Sequence, residues 1–257
     1  MKHILGFSCD TVSDCLIKAN NPAFYSKLRE LNLAQTKKDI SSQIPCDVSI
    51  LQTVHALEEI TASLKRMRIL LREFYSWYAP ELCHIISDDE LINNIVSPKG
   101  KLLSAMGAKP NENDLMMLKC TAESIVAITG RETLLSKSLA QSMQTLAPNL
   151  TAVAGILLGA KLLALSGGLK QLAFANSSFI QLLGAKKALF RHVITGAKNP
   201  KHGIIIEHPL IQTTTNKGQA SRILSGKIVI AARIDYFKGL FVGVDLLKSV
   251  EVQLCKK

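Results

Sequence analysis

Seven basic side chains follow one another in "GAKKALFRHVITGAKNPKHG", residues 184–203, without an acidic residue among them. Lysine and arginine bind phosphate oxygens through charge-assisted hydrogen bonds, and a histidine on a loop can stack on an unpaired base. Folded RNA offers both targets, so this stretch predicts an RNA-binding surface. The basic residues are Lys186, Lys187, Arg191, His192, Lys198, Lys201 and His202.

The positive charge of the chain is concentrated around this stretch. The 257 residues carry a net charge of +11 and a pI near 9.4, values that favour a polyanion or an anionic surface as partner. Residues 150–234 contain eleven Lys and Arg against one acid, Glu207, which leaves +10 there and only +1 in the rest of the chain. A single lysine is more often a solvated surface residue, but ten unbalanced charges in one region indicate a ligand.

The sequence contains none of the residue combinations that are typical of catalysis. A nucleophile needs a base and an orienting acid, yet the basic region offers His192, His202 and His208 with Glu207 alone. No phosphate-binding or dinucleotide-binding glycine loop is present. The six cysteines are too far apart for a zinc site and are expected to be free thiols in a reducing cytoplasm. We therefore predict no catalytic residue, no metal and no cofactor.

Two long helices are predicted upstream of the basic region. Apolar residues recur in steps of three and four over residues 50–78, which gives a narrow seam that needs a partner helix. A second, weaker seam covers residues 115–146, and the broken stretch between the two suits the connection of an antiparallel coiled-coil hairpin. The helices of an ordinary bundle fit the same pattern comparably well. The first seam comprises Ile50, Leu57, Ile60, Leu64, Met67, Leu71, Phe74 and Tyr78.

Residues 147–257 are predicted to fold as a compact set of helices. The apolar helix expected over residues 150–165 is long enough to raise the question of a membrane span, but Lys161 in its middle argues for a buried helix instead. Its two glycines, Gly155 and Gly159, are spaced wrongly for a dinucleotide loop, and helix packing is their expected role.

A basic helix over residues 185–195 and a last long helix over residues 219–237 are also predicted. On the basic helix, Leu189 and Val193 form an apolar pair away from the cations, so we expect the helix to be packed while it presents its charges. Strand signals are confined to "GIIIEH", residues 203–208, whose isoleucines are expected to anchor the preceding loop in the core. The chain as a whole is therefore predicted to be all-α.

The last long helix adds candidates to the basic surface. Arg222 and Arg233 are eleven residues apart and fall near one stripe of the helix, whereas Lys227 points away from both. Arg222 is a candidate for the RNA surface. Arg233 could equally pair with Asp235 or cap the end of the helix.

Three motifs in the C-terminal half resemble, in order and with matching spacing, the Nop domain of archaeal and eukaryotic box C/D ribonucleoprotein scaffolds. They are "APNLTAVAGILLGAKLLALSGGLKQLA", "QLLGAKKALFRHVITGAKNPKHGIIIEHPLI" and "KGQASRILSGKIVIAARIDYF". Upstream, "DVSILQTVHALEEI" and "LREFYSWYAPEL" resemble the entry to the coiled coil of the same proteins. The resemblance covers roughly residues 44–257 and is specific, because several long motifs recur in one order.

The resemblance implies a non-catalytic assembly protein. In this family the Nop domain binds a composite surface made by a kink-turn RNA and a small kink-turn-binding protein related to ribosomal proteins. The coiled coil mediates self-association, which implies a homodimer here. An N-terminal domain recruits fibrillarin, which uses S-adenosylmethionine for guided ribose 2′-O-methylation of rRNA or tRNA. Such a protein is expected in the cytoplasm if it is archaeal, or in the nucleolus if it is eukaryotic, and away from membranes.

The family motifs assign an RNA-facing role to positions that the charge pattern also singles out. This sequence departs from them at Lys186, where the family usually has an acid, and at Gln219, where it usually has a lysine. The family's N-terminal domain is also normally much longer than residues 1–43, which resemble only its end, so fibrillarin docking is left open. The predicted RNA-binding residues are Gly184, Ala185, Lys186, Lys187, Arg191, His192, Lys201, His202, Lys217 and Arg222.

The sequence thus predicts three parts: a reduced N-terminal region at 1–43, a coiled-coil hairpin at 44–146 and a helical Nop domain at 147–257. A divergent coiled-coil interaction protein that binds nucleic acid nonspecifically is the alternative. Its affinity for a kink-turn RNA would equal its affinity for an RNA with a mutated bulge.

Overall fold

The structure, a computed structural model, describes residues 22–43, 47–97 and 106–255. Within these ranges every regular element is helical and no strand occurs, which confirms the predicted all-α class. The chain divides into two compact units, Met1–Cys46 and Asp47–Lys257. The described part of the first unit is one helix, α1 (Pro22–Gln43), without a pronounced apolar face.

The second unit begins with an antiparallel pair of long helices, α2 (Val48–Ser76) and α5 (Glu112–Leu146). Ile50, near the start of α2, shares an apolar core with Met143, near the end of α5, while the second half of α2 packs on the first half of α5. The predicted coiled-coil hairpin is therefore confirmed, and both helix bounds lie within a few residues of the predicted ones.

The buried seam of α2 differs in detail from the predicted one. Val54 and Tyr75 are buried although the predicted seam lacks them, whereas Ile60, Met67 and Phe74 are only partly buried. A strict heptad pattern describes contact with one partner helix, but α2 also packs against other helices at both of its ends. Its apolar stripe is therefore wider than a coiled-coil seam.

Two short helices, α3 (Pro80–Ile85) and α4 (Asp88–Val96), close the far end of the hairpin. Arg72 of α2 holds them in place, because its guanidinium pairs with Asp88 and donates hydrogen bonds to the carbonyls of Cys83 and Ile86. Burial raises the pKa of the Cys83 thiol, with the Arg72 charge as the smaller, opposing influence. The charge of Arg72 is therefore neutralised within the fold, by Asp88.

The C-terminal helices pack around one long central helix, α12 (Lys217–Tyr236). It contacts α6 (Pro148–Ala154), α8 (Leu169–Phe174), α9 (Ser177–Leu182) and α13 (Gly243–Cys255). The carboxylate of Asp235 on α12 is buried and accepts hydrogen bonds from the backbone N–H groups of Asn149 (3.1 Å) and Leu150 (2.8 Å), at the start of α6. The elements are α6 (Pro148–Ala154), α7 (Ile156–Ser166), α8 (Leu169–Phe174), α9 (Ser177–Leu182), α10 (Lys186–Thr195), a 3-10 helix (Ile204–Glu207), α11 (Pro209–Gln212), α12 (Lys217–Tyr236) and α13 (Gly243–Cys255).

The predicted single apolar helix over residues 150–165 is wrong, because the chain breaks at Gly155 into α6 and α7. Gly155 has φ +83°, a left-handed value that a residue with Cβ rarely adopts, and a Cβ added there would meet no atom within 4 Å. Gly159 does have the predicted packing role, since an added Cβ would lie 3.2 Å from Met143 Cε. In the described residues no single helix is long and apolar enough to cross a membrane, although α6 and α7, bent by 114°, pass that test as a pair.

The strand signals of "GIIIEH" do not produce a strand, in line with the predicted all-α class. The segment forms a 3-10 turn, in which the N–H of Ile206 bonds to the carbonyl of Gly203 (3.3 Å) and that of His208 to Ile205 (3.1 Å). A strand needs a neighbouring strand, and the described chain has none. The apolar residues still do what the sequence predicted, because Ile205 is fully buried and its two neighbours pack on the core.

Candidate nucleic-acid interface

The loop between α10 and the 3-10 helix is held alongside the end of α9. The N–H of Gly203 bonds to the carbonyl of Gln181 (2.7 Å), and the N–H of Ile204 bonds to the carbonyl of Leu183 (2.9 Å). The side-chain amide of Gln181 in turn donates to the carbonyl of Lys201 (2.6 Å). These three bonds hold the backbone of the "NPKHG" loop, so that its basic side chains project from a restrained position.

Two glycines make this arrangement possible. Gly184 has φ +88°, and a Cβ there would come within 2.3 Å of Ile204 Cγ2. At Gly203 a Cβ would lie 1.9 Å from the carbonyl oxygen of Leu183, a contact that real Cβ atoms do not make. Gly184 therefore has a conformational role in addition to any contact that its backbone could make with a ligand.

Helix α10 carries Lys186, Lys187 and Arg191, all of them exposed, with Ala185 immediately before its first turn. The expectation that this helix is packed through Leu189 and Val193 is wrong. No residue of α10 is buried, and Val193 is 74% exposed. Left-handed glycines, Gly184 and Gly196, flank the helix, which exposes its apolar residues as well as its cations.

The two histidines of the predicted site lie on either side of the "GAKNP" turn. His192, near the end of α10, is partly buried, and its Nδ1 bonds to the carbonyl of Ala197. A carbonyl only accepts, so Nδ1 carries the proton, which leaves Nε2 as an acceptor when the ring is neutral. His202 is partly exposed at the far end of the loop. Both histidines are thus only partly exposed.

A second group of predicted residues meets at the start of α12. Lys201 and Arg222 line a surface pocket of about 340 Å³ together with Gln181, and the aliphatic stem of Lys201 lies against Gly218, 3.4 Å from where a Cβ would be. Lys217 is exposed at the first position of α12. The structure therefore divides the predicted residues into two neighbouring groups, one on α10 and one at this pocket, joined by the restrained loop.

The site is electrostatically unbalanced. Glu207, the sole acid of the basic region, forms an ion pair with Lys161 (2.8 Å) and so does not neutralise the predicted site. Across the described chain, no basic residue of either group forms an ion pair with an acid. A cluster of unpaired cations repels itself, and an anionic ligand relieves that repulsion.

Sequence reasoning missed two features of this surface. Gln181 and Asn216 line the pocket and could donate or accept hydrogen bonds, but neither carries a charge that would have drawn attention. The exposure of the apolar residues of α10 was missed because an apolar pair on a helix normally indicates burial. They are Phe190, 66% exposed, Val193, 74%, and Ile194, 77%.

An all-α protein with a restrained cationic surface is consistent with RNA binding, and the comparison with known families agrees. A family model described as "Nop: snoRNA binding domain, fibrillarin" matches residues 56–256. The match covers most of the chain, and the chain therefore belongs to the Nop family.

Similar proteins occur in archaea and eukaryotes. A protein of Methanocaldococcus jannaschii, described as an uncharacterized NOP5 family protein, is 34% identical over 258 residues, which cover 90% of this chain and 62% of that protein. Nucleolar protein 56 of Dictyostelium discoideum is 35% identical over 221 residues, which cover 74% of this chain and 41% of the relative. The chain thus spans only about two to three fifths of the length of these relatives.

A solved structure shows the same fold. A chain in the crystal structure of a fibrillarin/Nop5p complex matches with a TM-score of 0.54 and 25% sequence identity, over 96% of this chain and 84% of that one. The family model is described as a snoRNA-binding domain, the relative from Dictyostelium discoideum is named as a nucleolar protein, and none of these matches indicates an enzyme family.

Proposed function

We propose that this protein is a non-catalytic RNA-binding scaffold of a box C/D small ribonucleoprotein. Its RNA ligand contains a kink-turn, and the residues that contact the RNA are the two groups on α10 and at the start of α12. The unpaired cations of residues 184–222 and membership of the Nop family support this proposal. The bound RNA guides ribose 2′-O-methylation by a separate methyltransferase.

One observation supports a composite ligand made of RNA and a small kink-turn-binding protein. Helix α10 has exposed cations and exposed apolar residues in the same ten residues, including Phe190 and Val193. RNA phosphates would neutralise the cations, but they would not cover an exposed apolar side chain such as Val193. A small protein bound beside the RNA would cover the apolar residues and remove them from water. We expect the RNA alone to bind weakly and the small protein to raise the affinity.

The remaining parts of the chain are proposed to serve assembly. Residues 44–146 form a homodimer through the hairpin, which exposes several large apolar side chains, among them Leu70 and Met116. Residues 147–257 are the RNA-binding part. Fibrillarin is a partner of the family, and residues 1–43 are the part of this chain that would have to recruit it. The particle works in the cytoplasm of an archaeal-type cell, or in the nucleolus of a eukaryotic one.

The proposed function is tested by gel shift on a kink-turn RNA, with and without the small kink-turn-binding protein. We compare the wild type with the double variant Lys187→Ala/His202→Ala. A matched control, Lys65→Ala/His55→Ala, removes an exposed lysine and histidine from the hairpin. We expect the first variant to lower the affinity of the ternary complex by about tenfold or more and the control to leave it unchanged.

Two results would contradict parts of the proposal. If the ternary complex formed equally well with the Lys187→Ala/His202→Ala variant, the assignment of the RNA-binding residues would be wrong. If the wild type bound a kink-turn RNA and an RNA with a mutated bulge equally well, the protein would be a coiled-coil interaction protein with nonspecific nucleic-acid binding.

A further inference from the structure

An exposed stripe runs the length of α12. Arg222, Ile230, Arg233 and Phe237 follow one another at spacings of eight, three and four residues, which at ~100° per residue places them within about 80° of one another. All four are exposed. The stripe begins at the cationic pocket and ends just beyond α12, about 22 Å further along the helix axis at ~1.5 Å per residue.

The far end of the stripe is an aromatic cluster. Phe174 at the end of α8 meets Tyr236 and Phe237 edge to face, with ring centroids 5.6 and 6.2 Å apart, and Tyr236 and Phe237 are 5.1 Å apart. Phe174 is 62% exposed and Phe237 is 67% exposed. The edge-to-face contacts fix the planes of these rings, so the exposed ring surfaces are preorganised.

The ends of α8 and α12 are tied together beneath these rings. The Nε–H of Arg233 donates to the carbonyl of Ala173, one residue before Phe174, with a separation of 2.9 Å. Arg233 therefore neither pairs with Asp235 nor caps its own helix, the two roles that the sequence suggested. Instead it positions the aromatic cluster while its charge stays exposed.

Cations surround the cluster, and accessible acids do not occur on the two helices that carry it. Lys170 of α8, Arg233 and Lys238 are exposed. The single acid in α8 and α12 is Asp235, which is buried and bonded to the start of α6. Aromatic rings among cations suit a ligand that combines flat π-faces with negative charge, as unpaired nucleotides do.

We propose that Phe174 and Phe237 form a stacking platform for unpaired nucleotides of the bound RNA. The RNA would run from the pocket at Arg222 along the exposed stripe of α12 to the platform. This inference rests on the proposed function insofar as Arg222 belongs to an RNA-binding surface. The cations favour RNA over a protein ligand, since an apolar protein surface would need no charge around the rings.

The test compares a kink-turn RNA that ends in a blunt stem with the same RNA carrying a single-stranded extension of ten nucleotides. The wild type should bind the extended RNA about tenfold more tightly, and Phe237→Ala and Phe174→Ala should each remove most of that gain without changing the affinity for the blunt RNA. Phe237→Tyr keeps an aromatic ring and should restore the gain. Leu134→Ala, which removes an exposed apolar side chain from α5, is the matched control. Thermal unfolding followed by circular dichroism verifies that the variants fold.

The outcomes separate this inference from the proposed function. A plain single-stranded oligonucleotide tests the platform without a kink-turn, so lower affinity for Phe237→Ala there supports the platform even if kink-turn specificity is absent. Equal binding of the extended RNA by Phe237→Ala and the wild type would overturn it. If an RNA with an abasic extension bound as tightly as the RNA with the normal extension, base stacking would be excluded. Electrostatic attraction alone would then explain the gain in affinity. If Phe237→Ala instead abolished binding of the small protein with RNA affinity unchanged, the cluster would be a protein-docking surface.

Discussion

The hairpin and the C-terminal helices use their charged residues in different ways. At the far end of the hairpin, Arg72 pairs with Asp88 and Arg68 with Asp89, so that the charges hold short helices onto α2. In the C-terminal helices the cations of residues 184–222 have no acidic partner within the described chain. A charge that is already paired would have to give up its partner in order to bind a ligand, whereas an unpaired charge would not. The difference therefore separates the charges that stabilise the fold from those that are available to a ligand.

The largest effect on stability is expected at the one buried acid that supports the C-terminal helices. Asp235→Ala leaves the N–H groups of Asn149 and Leu150 without their acceptor in a buried place, and we expect a loss of about 3–5 kcal/mol in the free energy of unfolding. Urea unfolding measures this loss, with Asp245→Ala, which removes an exposed acid from α13, as the control. Equal stability of the two variants would show that this carboxylate does not support the fold.

The hairpin should respond to loss of charge through its stability. Arg72→Ala removes one ion pair and two hydrogen bonds, to the carbonyls of Cys83 in α3 and of Ile86 just after it, and we expect the free energy of unfolding to decrease by about 2 kcal/mol. Its affinity for RNA should stay at the wild-type value. If Arg72→Ala weakened RNA binding as strongly as Lys201→Ala/Arg222→Ala does, the contrast between the hairpin and the C-terminal surface would be wrong.

The C-terminal surface should respond to loss of charge through its affinity. Each lysine that contacts a phosphate releases counterions, so Lys187→Ala/Lys201→Ala should flatten the plot of log affinity against log salt by about 1.4–1.8 units. The unfolding free energy should change by less than about 0.5 kcal/mol, because neither side chain is paired. Fluorescence anisotropy at several salt concentrations measures the slope, and an unchanged slope would exclude phosphate contacts by these two lysines.

The smallest effect is expected from a buried histidine in the core. His208 Nε2 bonds to the carbonyl of Val153 and Nδ1 accepts from the N–H of Leu210, so the ring is neutral, and burial lowers the pKa of His208 below 6.5. Because the folded-state pKa is lowered, protonation favours the unfolded chain, and stability should fall as the pH drops below about 6.5, by at most ~1.4 kcal/mol per pH unit.

A substitution checks the origin of that pH dependence. His208→Gln keeps a polar side chain but cannot be protonated, so its unfolding free energy should vary less between pH 7 and pH 5 than that of the wild type. An equally steep decrease in both proteins would assign the pH dependence to other groups.

The long helices were predictable because periodicity is a local property of the sequence. The bounds of α2 and α5 lie close to the ends of the predicted seams, and α12 was found in the same way. The break at Gly155 was not predictable, since a glycine in an apolar run can either pack or turn. The strand signals at residues 203–208 did not give a strand, because the pairing of a strand depends on the rest of the fold.

The charged residues of the candidate site were predictable, but their arrangement was not. Lysines and arginines without acids show in the sequence, whereas the division into a group on α10 and a group at Lys201 and Arg222 depends on tertiary packing. The exposure of α10, which left-handed glycines flank at Gly184 and Gly196, could not be predicted from its apolar residues.

Hydrogen exchange on the assembled complex would show where this chain meets its ligand. Amide exchange of the protein alone is compared with that of the protein bound to a kink-turn RNA and its small partner. We expect slower exchange in residues 184–203 and 217–222, and unchanged exchange in α3 and α4 at the far end of the hairpin. Slower exchange at α3 and α4, with residues 184–222 unchanged, would contradict the proposed interface.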